Sequence, residues 1–378
     1  MKIAYIYDAV YPWVKGGAEK RIYELSRRLA ARGHEVHCYG MKWWPGEGKI
    51  LKDGVHLHGI CRPMPLYAGG RRSMRQAAFF AGKVLFSLNQ DFELVDCQEF
   101  PYFPCFSTKL ICSLKRQELF ITWLEVWGDY WYDYLGRMGI LGWSIERAAS
   151  RLTNRNIAIS ARTRKDLEGL GVRNVQLVPA GIDWQRIEQV RALMKESDIA
   201  YTGRLIGHKN VDLLIRAVGI VKKDIPDIRA IVIGDGPEMR RLKTLVSELG
   251  LKKNVEFIGF LEDYDDALGL MKSSRIFASP STREGFGMAA LEANACGLPV
   301  VTVNHRMNAV SDLVTKETGM VCEPSREALA EAMIQMLQES DGMRGRCIRH
   351  ARRYDWEEIC DQAERVYARG SESCDRWI

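Results

Sequence analysis

The sequence predicts an α/β protein of two domains, each a doubly wound parallel sheet with helices on both faces. Three observations carry that expectation. The chain has 378 residues, more than one ordinary domain holds and suited to two. Strand-like and helix-like segments alternate along both halves, the pattern of parallel strands joined by crossover helices. The alternation breaks near Pro179-Ala-Gly-Ile-Asp183, where proline and glycine end any helix. The expected domains are residues 1–180 and 181–354, with a C-terminal helix over about 355–378 packing back on the first.

In the first half, Lys2-Ile-Ala-Tyr-Ile-Tyr7 is a short β-prone run. It leads into Gly16-Gly17 and an amphipathic segment near Ala18–Ala31 that predicts a helix. Gly33 ends it, and Glu35–Tyr39 predicts the next strand. Further on, helices are expected near 73–89 and 140–152, and strands near 94–97, 119–123, 156–159 and 175–178. In the second half, strands are expected at Asp198–Thr202, Arg229–Ile233, Val255–Ile258, Ile276–Ser279 and Pro299–Val303. Helices are expected near 210–223, 237–249, 264–273 and 287–296, and a last amphipathic one follows Tyr354.

Composition narrows the function. Apolar residues make up 47% and charged residues 27%, a soluble globular profile. No apolar run reaches the ~18 residues that span a bilayer, and the charged stretch Lys15–Arg28 argues against a signal peptide. The ten cysteines include no CxxC pair and suggest reduced, buried thiols in a cytoplasmic protein, with no zinc site. Residues 1–180 hold 26 Lys and Arg against 17 Asp and Glu, while residues 181–378 hold 28 against 31. The basic half should attract an anionic partner, either a membrane surface or a phosphorylated lipid. A solvated basic face explains the same balance. No nucleic-acid module is recognisable, and no nucleic-acid partner is expected.

Three motifs carry chemistry. Glu284-Gly-Phe-Gly-Met-Ala-Ala-Leu-Glu292 follows an expected strand and turn. Gly285 and Gly287 allow close backbone approach, and a helix starting at Gly287 would aim its free N–H groups at a phosphate. Glu284 and Glu292, the latter about 7 Å along that helix, could accept hydrogen bonds from two sugars. The alternative is two surface glutamates around a glycine turn. Gly203-Arg-Leu-Ile-Gly-His-Lys209 follows strand Asp198–Thr202, where doubly wound sheets bind ligands. Arg204 in the turn and Lys209 opening the next helix could neutralise a diphosphate; an ordinary basic turn would look the same. Gly16-Gly17 leaves bare backbone at a helix N-terminus, as would a merely flexible loop.

In this order and register the pieces resemble the retaining GT-B glycosyltransferases of family 4. The resemblance rests on KIAYIY with Gly16-Gly17, PAGID (179–183), GRLIGHKN (203–210), IVIGDGPE (231–238), VEFIGF (255–260), EGFGMAALEANACGLPVV (284–301) and Tyr354-Asp-Trp-Glu-Glu-Ile359. It covers essentially the whole chain. It implies two Rossmann-like domains facing each other across a cleft, with the donor nucleotide sugar on the second. It implies transfer to a glycan, lipid-linked or other small acceptor with retention, and with no bound metal or other cofactor. Arg204 and Lys209 would hold the donor diphosphate, Glu284 the transferred sugar and Glu292 the ribose. Phe286, Gly287 and Met288 would offer backbone N–H groups, Ile258 would face the base, and Gly16 and Gly17 would approach the donor. Arg204, Lys209 and Glu284 would be the catalytic set.

Two departures stand out. Many relatives carry a histidine near the acceptor, at the end of the strand corresponding to Phe120–Trp123; here the position is Leu124, followed by Glu125. A glycine pair common after the strand Pro299–Val303 is replaced by Asn304-His-Arg-Met-Asn308. The aromatic stretch Trp123–Tyr134, with Glu125, Trp127 and Asp129, is a candidate acceptor site, because aromatic faces stack on sugars. Core packing is the alternative. Asp263-Tyr-Asp265 has the form of a metal-binding triplet, but its place at an expected helix start fits capping better. Two other functions remain open: a non-catalytic scaffold that binds a nucleotide sugar, which Leu124 favours, and a nucleotide-sugar epimerase. The expected location is cytoplasmic, peripheral on the inner face of the cell membrane.

Overall fold

The computed structural model describes residues 1–68 and 71–371. Residues 372–378, assigned above to the last helix, lie outside the described residues. The chain divides into two compact units: Met1–Ala180 with the chain from Trp356 onward, and Gly181–Asp355.

The first unit is built on an eight-stranded sheet. From edge to edge its strands are Gln176–Leu177, Asn156–Ala158, Glu118–Trp123, Leu94–Gln98, Lys2–Ile6, Glu35–Met41, Val55–Cys61 and Lys49–Lys52. All neighbours are parallel except the last pair. Central strands such as Ile3–Ile6 are buried on both faces, as sheets with helices on each side require. Helix Gly17–Ala31 buries Ile22, Leu25 and Leu29 at three- and four-residue spacing, one apolar stripe against the sheet.

Three features differ from the sequence expectation. The hairpin Lys49–Lys52 and Val55–Cys61 turns at Asp53-Gly54, a two-residue turn signal that no expected strand flanked. Helix Phe103–Lys115 was not expected, because Cys, Ser, Thr and Phe give it little intrinsic helix preference, although Pro104 suits its first turn. Packing against helix Met74–Ser87 holds it in place. Helix Ala161–Gly169 is mostly charged and polar, so its period is faint; Ser160 caps it by accepting from Thr163 N.

The C-terminal helix Trp356–Ser371 belongs to the first unit. Tyr367 Oη donates to Asp96 Oδ2 at 2.6 Å and lies 3.2 Å from Tyr5 Oη. Arg28 Nε reaches Glu357 Oε1 at 2.8 Å.

The second unit holds a six-stranded parallel sheet. Its order is Val255–Gly259, Ala230–Ile233, Ile199–Thr202, Ile276–Ser279, Val300–Val303 and Gly319–Cys322. Numbered along the chain this is 3-2-1-4-5-6, the doubly wound order. Strand Gly319–Cys322 and the 27-residue helix Arg326–Arg352 extend the series beyond what was expected. That helix buries Leu329, Met333, Met336, Leu337 and Cys347 in the core shared with helix Val211–Asp224. The unit closes on itself where Ile182 N donates to Tyr354 O at 2.8 Å.

Candidate functional site

The second sheet reverses its order between the paired strands Ile199–Thr202 and Ile276–Ser279. The carboxyl ends of strands at such a switch point form the ligand crevice of an open α/β sheet. The turn after the first strand carries Arg204 and Lys209. The loop after the second carries Glu284 and leads into helix Met288–Ala295.

Close backbone packing shapes the first turn. Gly203 N donates to Ile233 O at 3.0 Å, and Leu205 N to Asp235 O at 2.9 Å, so GRLIG and IVIGDG lie against each other. Gly234 has φ 132°, and a Cβ there would meet the Gly203 carbonyl oxygen at 2.0 Å. Only glycine permits both.

Lys209 does not open a helix, as was expected. It ends a 3₁₀ turn, Gly207–Lys209, because Asn210 follows in the left-handed region at φ 49°, and the helix begins at Val211. Asn210 Nδ2 donates to Pro280 O at 3.1 Å and Thr282 Oγ1 at 3.2 Å, tying this turn to the loop after Ser279. The result is an ion pair and hydrogen bond between Lys209 Nζ and Glu284 Oε1, both largely shielded from solvent. Burial and then the charges of Arg283, Lys209 and Arg204 push His208 down to about 3, so it is neutral at physiological pH. With Glu284 set against Lys209, Arg204 and Arg283 still leave net positive charge around the neutral imidazole, a field that favours an anion. Arg204 itself is exposed.

Glu284 is braced from an unexpected side. Arg283–Glu284 pairs in parallel with Met307–Asn308, and Ala309 N donates to Glu284 O at 2.9 Å. Buried Asn308 fixes that loop, donating through Nδ2 to Val303 O at 2.8 Å and Thr302 Oγ1 at 3.0 Å. The segment Asn304–Asn308, which stands in place of a glycine pair, thus shapes the backbone of Glu284. No local sequence pattern announces this, because the partners are about 24 residues apart.

Gly287 caps the next helix at φ 96°, and a Cβ there would meet Val310 Cγ2 at 2.3 Å. Gly287 has no side chain with which to cap this helix start, which leaves the first amides and the dipole open to an anion. Met288 is its first residue. The Phe286 ring is buried, 6.0 Å from the ring of Tyr354, so the side chain is packing and only its backbone can serve a ligand. Ile258 is half-buried on strand Val255–Gly259. Glu292 is buried on helix Met288–Ala295 and accepts from Tyr264 Oη at 2.5 Å. Asp263 caps helix Tyr264–Lys272 by accepting from Asp265 N at 2.9 Å. Thr202 Oγ1 and Ser281 Oγ, at the ends of the two switch-point strands, are buried hydroxyls with no partner among the described residues.

The first-unit candidates fare differently. Gly16 precedes helix Gly17–Ala31, but its backbone is not bare: a Cβ there would lie 2.3 Å from Glu19 Oε2. A carboxylate already meets this helix start, which disfavours a phosphate at Gly16 and Gly17. Trp127 is no stacking platform. It is 4% exposed, packed against Phe100, Trp131 and Tyr134, with Nε1 donating to Glu125 Oε1 at 2.7 Å. The physical cause is Glu146, a fully buried carboxylate that accepts from Trp127 N and Gly128 N, each at 2.8 Å, and pulls the loop inward. Glu125 is half-buried, and Asp129 is exposed before helix Tyr130–Leu135. Leu124 is half-buried, and its N–H donates to Glu99 Oε2 at 3.0 Å.

Two family models match the chain and between them take in nearly all of it. Glycosyltransferase Family 4 matches residues 15–186, and Glycosyl transferases group 1 matches residues 183–354. The chain belongs to glycosyltransferase family 4. Among curated relatives it is 29% identical over 204 residues to a GDP-mannose-dependent α-(1-6)-phosphatidylinositol dimannoside mannosyltransferase of Mycobacterium tuberculosis, covering 51% of this chain and 52% of that one. The chain thus spans about half the length of that relative. It is 24% identical to one component of the human phosphatidylinositol N-acetylglucosaminyltransferase, covering 98% of this chain and 76% of that one. Among solved structures, sucrose-phosphate synthase from Thermosynechococcus elongatus superposes with a TM-score of 0.79 at 20% identity, covering 97% of this chain and 98% of that one. Anabaena HepE in complex with UDP-glucose gives 0.73 at 19% identity, covering 97% of this chain and 100% of the other. The family 4 chain therefore has the GT-B fold of two Rossmann-like units. Its described helices include none long and apolar enough to cross a membrane.

Proposed function

We propose that this family 4 chain transfers a sugar, with retention, from a nucleoside-diphosphate sugar to a lipid-linked or glycan acceptor. One observation carries the donor side: Arg204, Lys209, Glu284 and the uncapped start of helix Met288–Ala295 all gather at the switch point of the second sheet. Arg204, Lys209 and the helix amides would hold the diphosphate and stabilise the charge it gains as the bond to the sugar breaks. A donor phosphate oxygen would help take the acceptor's proton. Those cations do electrostatic work that a metal does elsewhere, so transfer is proposed to need none. Glu284 would meet the transferred sugar and Glu292 the ribose.

The acceptor reading is supported by the mycobacterial and human relatives, whose names place phosphatidylinositol lipids among their substrates. The basic balance of residues 1–180 fits an anionic lipid at a membrane surface, on the cytoplasmic side of the cell membrane. A thermal-shift screen against UDP, GDP, ADP and their sugars tests the donor site. A rise in melting temperature with a nucleoside diphosphate, and slow hydrolysis of the matching sugar donor without acceptor, are expected. No response to any of them would defeat the reading.

A further inference from the structure

We propose that Tyr264 is a positioning residue for Glu292, and that the pair makes the site select ribonucleotides over 2′-deoxyribonucleotides. This rests on the proposed contact of Glu292 with the ribose. Tyr264 Oη donates to Glu292 Oε1 at 2.5 Å across 28 residues of sequence. Burial and next the Glu292 charge push the phenol far above its usual range, so it keeps its proton and is the donor. A carboxylate on a flexible side chain has several rotamers, and a hydrogen bond from a ring of fixed position removes most of that freedom.

The ring is itself held. Tyr264 is the first residue of a helix capped by Asp263, so its backbone is set. The Arg186 guanidinium lies 5.2 Å from the Tyr264 ring centre and is anchored by Nε donating to Asp265 Oδ1 at 2.6 Å. The acid-x-acid triplet thus orders the tyrosine between its two carboxylates. Glu292, 6% exposed, is presented by helix Met288–Ala295, whose start adjoins the proposed diphosphate site. A sugar hydroxyl can donate to a carboxylate oriented in this way; a 2′-deoxy sugar lacks one such donor.

Calorimetry on the full chain tests this with UDP, GDP and ADP, their 2′-deoxy forms, and inorganic diphosphate. In the native protein the ribonucleotide should bind about tenfold tighter than its deoxy form, the scale of one hydrogen bond to a charged group. Tyr264→Phe and Glu292→Gln should each shrink that ratio toward one while leaving inorganic diphosphate binding unchanged. If Glu292→Gln loses discrimination but Tyr264→Phe keeps it, the positioning role is wrong and the proposed donor site stands. Discrimination that survives Glu292→Gln overturns the ribose assignment and this proposal with it. Equal weakening of inorganic diphosphate by Tyr264→Phe makes the tyrosine merely structural and overturns the proposal. If that variant does not fold, exposed Arg186→Gln replaces it: reduced discrimination is expected, and an unchanged ratio overturns the idea.

Discussion

Lys209 and Glu284, 75 residues apart in the sequence, meet as an ion pair at the carboxyl edge of the second sheet. Each neutralises the other's charge. A donor sugar that engages both would exchange this pair for contacts of its own, so the pair presets the two side chains at little cost in ordering.

The first prediction concerns the cations. Arg204→Ala and Lys209→Ala should each weaken nucleoside diphosphate binding by about 1.5–3 kcal/mol, the range for hydrogen bonds to charged groups. Calorimetry decides it; unchanged affinity in both variants would remove the diphosphate from this turn.

The two glutamates should separate kinetically. In the proposed reading Glu284 would meet the sugar whose anomeric carbon gains positive charge, so Glu284→Gln should lower kcat strongly at saturating donor. Glu292 would meet a ribose that does not change during reaction, so Glu292→Gln should mainly raise the donor KM. Steady-state kinetics on variants shown to be folded by circular dichroism would reveal the reverse pattern if the assignment is wrong.

Metal dependence gives a third check. Turnover should persist in EDTA, because in the proposed reading Arg204 and Lys209 would supply the positive charge at the leaving group. Activity abolished by EDTA and restored by magnesium or manganese would contradict this.

Stability should fall in mild acid. Burial first, and then neighbouring positive charge, push His208 down to about 3 and His58 down to about 4. The unfolded chain protonates its histidines near pH 6.5, whereas the fold resists until lower pH. Between those values the unfolded state binds more protons, so the histidine contribution is neutral above about pH 6.5 and destabilising as pH falls toward 4. The melting temperature should therefore drop from pH 7 to 4.5, and less so in a His58→Asn, His208→Asn double variant. Identical slopes for both proteins would refute the assignment.

Membrane association is the fifth prediction. With an excess of basic residues in the first 180, the protein should float with anionic liposomes more than with neutral ones, and salt should weaken the effect. Equal recovery on both would count against an anionic surface as partner.

Much of the second unit was legible in the sequence because its information is local. Alternating periods mark strands Ile199–Thr202, Ala230–Ile233 and Ile276–Ser279 and the helices between them. Glycines mark the turns, as at Gly234 and Gly287, where the chain needs a backbone that other residues resist. The ordered motifs therefore identified the family and the strand ends that bear Arg204 and Glu284. The first unit was less legible, since helix Phe103–Lys115 dilutes its few helix formers with Phe, Cys, Ser and Thr and packs on its neighbour. Only the tertiary structure decided which side chains meet. Asn308 bracing Glu284, Tyr264 donating to Glu292, and Glu146 drawing Trp127 into the core join segments about 19 to 28 residues apart. Periodicity reports which face of an element is buried; it carries no record of the partner that another element brings to that face.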